Sequence, residues 1–400
     1  MKRFLSFLFY FLLINQYGVG EETSSEKIVS LLTTAPTTEE IYTAWGHTAI
    51  RVKNTAEDTD IVFNYGIFSF GDDFLYKFVK GETDYRLAVS HYEYALEEAR
   101  EYKNVFMYEQ VLDLTEREKD ALFEALLINA KPENRYYRYN FFFDNCATRP
   151  LWQIEKAIEG NIRYPVFNNS YTFRELIYIM LVDMPWFAFG IDICLGSETD
   201  RKATDRELLF LPEELMRSYA ESSIESEDGV RPLVSGVNIL NQPDTSVKMA
   251  KGLTTIFTPV AVFWLLFFMM VAHTVFYNYK KKKDIWIDII IFFVYGLFGC
   301  LVFFLAFISE HPCTNPNYNL LWINPLQFIF AVLVMFRKLR KALAYYQIVN
   351  LLLLLSALIG WHFIPQHYNS AFLPLILIVV LRAGNYIFHY HVNINLLKNI

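Results

Sequence analysis

Long apolar segments separated by short polar loops fill the C-terminal part of the chain. From Leu253 onward there are five of them, over 253–277, 285–308, 320–336, 342–363 and 372–388. Each is close to the length of about 20 residues with which an α-helix crosses a bilayer. The pattern therefore predicts a membrane domain over residues 251–400 with five transmembrane helices.

The N-terminus shows a shorter apolar pattern. Lys2 and Arg3 come first, an apolar run covers residues 4–14, and small and polar residues follow up to Gly20. This order is typical of a signal peptide, and the run is shorter than the roughly 20 residues that a transmembrane helix needs. We expect a signal peptide over residues 1–20, with an uncleaved anchor as the lesser alternative, and export of the segment that follows it.

The segment between these two apolar regions is polar enough to be soluble. Residues 21–220 contain enough aromatic and aliphatic side chains to build the core of one domain of ordinary size. Residues 221–250 are rich in Ser, Glu, Asp and Pro, with few large apolar side chains. We expect this stretch to be a mobile linker between the soluble domain and the membrane domain.

Basic residues in the loops predict the orientation. Lysines occupy 280–283 after the first apolar segment, and arginines and lysines cluster in 337–341 after the third, whereas the other loops hold Glu310, His311 and His367. Basic loops stay in the cytoplasm. We therefore expect a multi-pass protein of the inner (cytoplasmic) membrane with its soluble domain in the periplasm.

The net charge of −7 gives no reason to expect a nucleic-acid partner.

Within the soluble domain, periodicity predicts an α+β fold. Residues 48–53 and 61–65 have the pattern of a β-hairpin around a polar loop. Thr115 and Glu118 form the capping box of a further helix. The other predicted elements are strands at 85–89 and 105–112 and helices at 92–102 and 115–130.

A particular register of the hairpin would be favoured by charge. Pairing Arg51 with Asp60 places His47 opposite Asn64 on the same face of the sheet. A slip by one residue would break these pairings.

Cys146 is the candidate nucleophile, because helical spacing of apolar residues begins just after it. A thiol in the first turn of a helix has a lowered pKa, since free backbone N–H groups favour the thiolate. His47 is the candidate base, and the side-chain carbonyl of Asn64 could orient its ring. Taken singly, such a cysteine or histidine is more often structural.

Polar residues in the membrane half also need an explanation. Arg382 lies well inside the fifth apolar segment, where it would either bind a lipid phosphate or pair with a neighbouring helix. His311 and Asn319 lie in an outer loop and would either border a lipid entry path or fold that loop.

Cys194 and Cys313 could pair in an oxidising compartment, although nothing in the sequence requires it. We expect neither a metal nor a cofactor.

Several segments resemble known motifs. The segments WGHTAIRV (45–52), FNYGIF (63–68) and DNCATRP (144–150) are similar to the histidine, third-residue and cysteine motifs of circularly permuted papain-like (NlpC-like) enzymes. The whole chain resembles the Lnb-type lipoprotein N-acyltransferase family. Further segments similar to that family are MPWFAFGIDICLGSETDRKAT (184–204), FLPEEL (210–215) and EHPCTNPNYNLLWINP (310–325).

The resemblance implies a permuted papain-like exported domain in which Cys146 is the nucleophile and His47 the base. It also implies a phospholipid as acyl donor and a diacylglyceryl-cysteine lipoprotein as acceptor. From the residues alone, two other functions stay open: a cell-wall amidase or endopeptidase, and a non-catalytic envelope sensor or transporter. Five spans exceed what anchoring needs, which favours a membrane-embedded substrate.

Overall fold

The computed structural model of the chain describes residues 27–37, 40–244 and 257–390. The predicted signal peptide at 1–20 lies outside the described residues. The mixed α and β soluble domain comes first, and a helical region with long apolar helices follows it, as the sequence pattern predicted.

Two antiparallel sheets form the frame of the soluble domain. The larger has seven strands in the order β10-β5-β1-β2-β3-β4-β6, and the smaller has the order β7-β8-β9. The strands are β1 (Lys27–Thr34), β2 (His47–Asn54), β3 (Thr59–Ile67), β4 (Asp84–His91), β5 (Met107–Leu112), β6 (Tyr136–Arg138), β7 (Asn161–Arg163), β8 (Ser223–Ser226), β9 (Gly229–Pro232) and β10 (Val234–Asn241).

Seven α-helices of the described residues belong to the soluble domain and five to the membrane region. They are α1 (Phe74–Lys80), α2 (Tyr92–Glu97), α3 (Glu116–Ala130), α4 (Thr148–Ala157), α5 (Phe173–Met180), α6 (Pro185–Cys194), α7 (Pro212–Glu221), α8 (Pro259–Tyr279), α9 (Ile285–Phe307), α10 (Pro325–Leu333), α11 (Arg340–Ile359) and α12 (Phe372–Tyr390).

The central strands of the large sheet are buried on both faces. On one face, Leu122 of α3 and Ile154 of α4 pack in the main core with residues such as Ile50 and Phe63. On the other face, Ala49 belongs to a smaller cluster that α2 covers. The capping box of Thr115 and Glu118 is present at the start of α3, as predicted. Cover on both sheet faces holds β2 and β3, the strands of the predicted hairpin, in place.

The hairpin register differs from the predicted one by two residues. Arg51 pairs with Val62, whereas Asp60 pairs with Lys53. Arg51 nevertheless makes two hydrogen bonds to Asp60, from Nε at 2.8 Å and from Nη2 at 2.5 Å. Because side chains alternate along a strand, a shift of two residues keeps every side chain on its predicted face. The prediction of which sheet face each side chain lies on is therefore confirmed, whereas the predicted cross-strand pairs are wrong.

The expected linker is also mostly wrong. Strands β8, β9 and β10 occupy 223–241, within the stretch 221–250 for which we expected a mobile connection. β10 pairs with β5 at the edge of the large sheet. An edge strand leaves much of its surface in contact with solvent, so its composition can be as polar as that of a linker. The remainder, 245–256, lies outside the described residues.

Four helices of the described residues are long and apolar enough to cross a membrane: α8, α9, α12 and the stretch Arg337–His362 that contains α11. The predicted third segment, 320–336, is not one long helix. It begins with the 3-10 turn Tyr318–Leu321 and continues as the short helix α10. Pro325 sits at the first position of α10, where its missing N–H costs nothing, and extended Asn324 interrupts the helix before it.

Buried polar groups join the soluble domain to the membrane region. Arg174 of α5 contacts Asp192 of α6 at 2.6 Å and Asp200 at 2.8 Å. Asp192 also accepts from the side chain of Asn369, next to α12, at 2.7 Å, and its backbone oxygen accepts from Asn319 at 2.8 Å. Arg174 and Asp192 are almost fully buried. The two parts of the chain therefore share one hydrogen-bonded interface.

Candidate active site

His47 is the first residue of β2, at the edge of the core. Its Nε2 lies 2.5 Å from Oδ1 of Asn64 on the neighbouring strand β3. An amide oxygen can only accept, so Nε2 must carry a proton in this contact. The predicted orientation of the ring by Asn64 is thus present in the geometry, although the two residues are not direct partners in the ladder.

Cys146 lies in the turn that precedes α4, two residues before the first helical residue. We expected it inside the first turn. The side chain of Asn145 holds this turn: its Oδ1 accepts from the N–H groups of Ala147 at 2.8 Å and Thr148 at 3.0 Å. Its Nδ2 donates to the backbone oxygen of Phe210 at 2.9 Å. Asn145 therefore caps the helix start and fixes the backbone on both sides of the thiol.

Asp144, the residue before Asn145, has a different role. Its carboxylate forms a bidentate pair with Arg149 of α4, at 2.5 Å and 2.6 Å. The Arg149 guanidinium also lies 4.1 Å from the centre of the Tyr137 ring. These contacts tie the cysteine turn to β6 and α4.

Cys146 and His47 are half-buried neighbours, and both lie within 4 Å of the position that a Cβ on Gly66 would take. Burial alone would raise the pKa of the Cys146 thiol, but the neighbouring His47 and the backbone N–H groups of Thr48 and Cys146 outweigh it and lower that pKa. Burial opposes the charged imidazole, but the charge of Cys146 and the hydrogen bonds to Cys146 and Asn64 raise the pKa of His47. Both shifts favour a thiolate next to an imidazolium.

Because Gly66 has no side chain, it leaves space for the side chains of Cys146 and His47. Its φ is +88°, and a Cβ built there would lie 3.3 Å from the Cβ of Cys146 and 3.9 Å from Cε1 of His47. Most residues avoid this backbone region, and any side chain would press on the cysteine. Sequence reasoning missed Gly66, although it lies inside the FNYGIF segment.

Two tyrosines near the sulfur were also missed. Tyr137 is buried and Tyr139 half-buried, and desolvation together with the charge of Cys146 raises the pKa of both hydroxyls. Tyr139 stacks on Tyr85 with ring centres 4.0 Å apart. The only signal in the sequence was the aromatic stretch at 136–143.

The residues that we expected to bind substrate in the membrane half have internal partners. Arg382 is buried and pairs with Asp288 of α9, with Nε 2.7 Å from Oδ1. Helix pairing, one of the two predicted alternatives, is therefore present, and binding of a lipid phosphate by Arg382 stays a prediction. Asn319 is fully buried, and its Nδ2 donates to the backbone of Asp192, so it folds the loop. His311 lies at the domain boundary, where Nε2 is 2.5 Å from the backbone oxygen of Phe78.

The remaining cysteines are free thiols, including Cys194 and Cys313, so the suggested disulfide is not formed. Within residues 27–37, 40–244 and 257–390, no group of three His, Cys, Asp or Glu side chains is placed to hold a metal ion.

Comparison with known families gives two matches. Residues 19–177 match the model of the Lnb N-terminal periplasmic domain, and residues 251–393 match the model of the Lnb transmembrane domain. No protein of curated function and no solved structure shows a significant match to the chain.

Proposed function

Since the chain belongs to the Lnb family, with both domains of that family in order, we propose that it moves an acyl chain from a phospholipid to the α-amine of a diacylglyceryl-cysteine lipoprotein. The family and the apolar helices make it a multi-pass membrane protein with a periplasmic domain and a lipoprotein N-acyltransferase-like role. The observation that carries the finer proposal is the proximity of Cys146 and His47, whose side chains meet beside Gly66.

The first half of the reaction forms a thioester. The Cys146 thiolate attacks the ester carbonyl carbon of the phospholipid, and charge develops on the carbonyl oxygen. The backbone N–H of Cys146 is placed beside the sulfur and can donate to that oxygen. The carbon–oxygen ester bond then breaks, and the His47 imidazolium gives its proton to the departing lysophospholipid oxygen. The acyl chain stays on Cys146, and His47 is neutral.

The second half transfers the acyl chain to the amine. The free α-amine of the lipoprotein cysteine attacks the thioester carbonyl carbon, and neutral His47 accepts a proton from the attacking nitrogen. The carbon–sulfur bond breaks, which restores the thiolate and the imidazolium. Asn64 holds the ring in place through both steps, because its Oδ1 accepts from Nε2.

A first-half reaction tests the chemistry. The full-length protein is mixed with phospholipid vesicles without an amine acceptor, and intact mass spectrometry follows an acyl adduct that hydroxylamine releases. Cys146→Ser should form no adduct, because a serine hydroxyl is far less acidic than a thiol. Cys300→Ser, which changes an exposed thiol in α9, should behave as the parent does.

The second half needs its own measurement. Adding a diacylated lipopeptide to the acyl-enzyme should yield a triacylated peptide, seen by mass spectrometry of its N-terminus. An amidase would form no adduct from phospholipid, and a sensor would form none from any donor. Full N-acylation by Cys146→Ser would end the proposal.

A further inference from the structure

Helix α1 lies next to the end of a transmembrane helix. Its last residues make hydrogen bonds to the loop that follows α9: the Glu310 N–H donates to the Lys80 oxygen at 2.8 Å, and Ser309 Oγ donates to the Val79 oxygen at 2.9 Å. The apolar helix α9 ends at Phe307. An extended chain covers at most about 3.5 Å per residue, so these contacts lie within roughly 10 Å of the end of the span. α1 is therefore at the level of the bilayer surface.

The contact between α1 and this loop is close and specific. Gly81 ends α1 with a φ of +78°, and a Cβ on it would lie 2.8 Å from the backbone nitrogen of His311. A residue with a side chain would push the loop away. The Phe78 and His311 rings also meet, with centres 5.8 Å apart.

Large apolar side chains of α1 and its preceding loop are exposed at this level. Phe70 is 74 % exposed, Leu75 72 %, Tyr76 62 % and Phe78 46 %. We call these four residues the outer patch. Apolar and aromatic side chains are costly in water but favourable at the boundary of headgroups and acyl chains. Because the outer patch adjoins the end of α9, the surface that would cover it is the bilayer itself.

A row of rings runs inward from the outer patch. Phe78 meets Phe74 at 5.8 Å, Phe74 meets Phe68 at 5.5 Å, and Phe68 meets Tyr85 at 4.9 Å between ring centres. Tyr85 stacks on Tyr139 at 4.0 Å. We call these five residues the ring row.

The inner end of the ring row reaches the candidate active site. Phe68 follows Gly66 by two residues, and Gly66 adjoins the Cys146 Cβ. The charge of Cys146 also acts on Tyr139. A row of aromatic rings thus extends from the bilayer surface towards Cys146.

We propose that α1 inserts its outer patch into the outer leaflet, and that the ring row binds the acyl chain of the donor phospholipid on its way to Cys146. The proposal rests on the proposed function of Cys146. It assigns the row to the donor because the carbonyl that reacts is attached to that chain. The chain must follow the carbonyl to the sulfur, and in the thioester it still needs apolar surroundings. The acceptor reacts through an amine outside the lipid, so its own chains can stay in the bilayer.

The test uses the full-length protein in bilayer discs of ether lipids that carry a fixed fraction of a long-chain ester phospholipid. The rate of acyl adduct formation on Cys146 is measured by intact mass. Leu75→Ser/Tyr76→Ser should lower this rate by about tenfold, because it removes two side chains that insert. Tyr102→Ser/Leu127→Ser is the matched control elsewhere in the soluble domain, with side chains 74 % and 45 % exposed, and it should change the rate by less than about twofold.

A dihexanoyl phospholipid, dissolved in water as monomers, serves as the second substrate. It needs neither insertion nor a long apolar path, so the loss caused by Leu75→Ser/Tyr76→Ser should be several-fold smaller than with the long-chain lipid. Phe68→Ala should likewise slow the long-chain reaction more than the short-chain one.

The outcomes separate the two proposals. If the parent forms no adduct with either lipid, the proposed function fails. If the parent reacts and the two patch substitutions change neither rate, or lower both rates equally, the inference about α1 is overturned. It is also overturned if adduct formation is unchanged and only the transfer to the amine slows, since the outer patch would then serve the acceptor.

Discussion

His47 Nε2 lies 2.5 Å from Oδ1 of Asn64, although the two residues are not opposite each other in the β2–β3 ladder. The ladder ends at the pair of Ile50 and Phe63, so His47 and Asn64 lie beyond its last pair. The His47 ring nevertheless reaches Asn64, while the missing side chain of Gly66 leaves space for Cys146. One glycine and one hydrogen bond beyond the ladder together allow the thiol and the imidazole to meet.

Removing His47 should change the acidity of Cys146. In His47→Ala, burial of the thiol is no longer opposed by the imidazolium, so the pKa of Cys146 should rise above that of the parent. Rates of iodoacetamide modification, followed by mass spectrometry as a function of pH, should show the midpoint moving to higher pH. Cys194 and Cys313, whose pKa burial raises to about 11, serve as internal controls. An unchanged midpoint would show that the two side chains do not interact.

Removing Asn64 should have a smaller effect. Asn64→Ala should retain activity with a loss of about tenfold in kcat/KM, because an orienting group contributes less than the nucleophile or the base. Its hydrogen bond helps to raise the pKa of His47, so that pKa should fall in the variant. The imidazolium is lost as pH rises through this pKa. The alkaline limb of the kcat/KM profile should therefore move to lower pH.

Asn238→Ala is the matched control, since this asparagine bonds to Glu109 elsewhere on the sheet. Asn238→Ala should leave the alkaline limb of the kcat/KM profile at the pH of the parent. A limb that stays fixed in Asn64→Ala would argue against the contact with His47.

Gly66→Ala should inactivate without unfolding the chain. An alanine at φ +88° costs about 1–2 kcal/mol, and its methyl group would lie 3.3 Å from the Cβ of Cys146. Adduct formation from phospholipid should fall by at least about tenfold, since misplacement of a reacting group costs that much or more. Gly236→Ala is the control, because a Cβ there meets nothing within 4 Å. Equal rates in both variants would show that the space at Gly66 is not needed.

Arg174→Met should destabilise the interface between the two halves of the chain. It leaves the buried carboxylate of Asp192 without its cation, and such a loss costs about 3–5 kcal/mol. Thermal unfolding in detergent should show a clear fall in Tm. Arg201→Met breaks a pair in which the arginine side chain is 42 % exposed, and it should cost no more than about 1 kcal/mol. Similar Tm values for the two variants would contradict a structural role of the Arg174 cluster.

Much of the candidate site could be predicted because alternation along strands fixes the side of the sheet on which each residue lies. Cys146, His47 and Asn64 meet as the sequence suggested. The register could not be predicted, because a shift of two residues preserves the pattern and because the arginine at 51 reaches Asp60 diagonally. Gly66 and the tyrosines were missed because their importance arises from contacts between distant segments.

Two details of the fold could not be predicted, for the same physical reason. Amino-acid composition indicates how exposed a segment is to solvent, but not whether it forms a strand. The edge strand β10 is polar, so its composition resembled that of a linker. Its partner β5 is more than 100 residues away in the chain. In the same way, hydropathy could not show that Asn324 and Pro325 divide the third apolar segment.

The cluster of Arg174, Asp192 and Asn369 has a mechanical consequence. It fastens the soluble domain to the loops above the bilayer, so the height of Cys146 over the membrane is a fixed length of the molecule. The enzyme therefore sets the distance over which the lipid-bearing first residue of the proposed acceptor must rise from the bilayer to the sulfur. Because this height is fixed, the proposed acceptor and not the enzyme must bridge the distance between the bilayer and the sulfur.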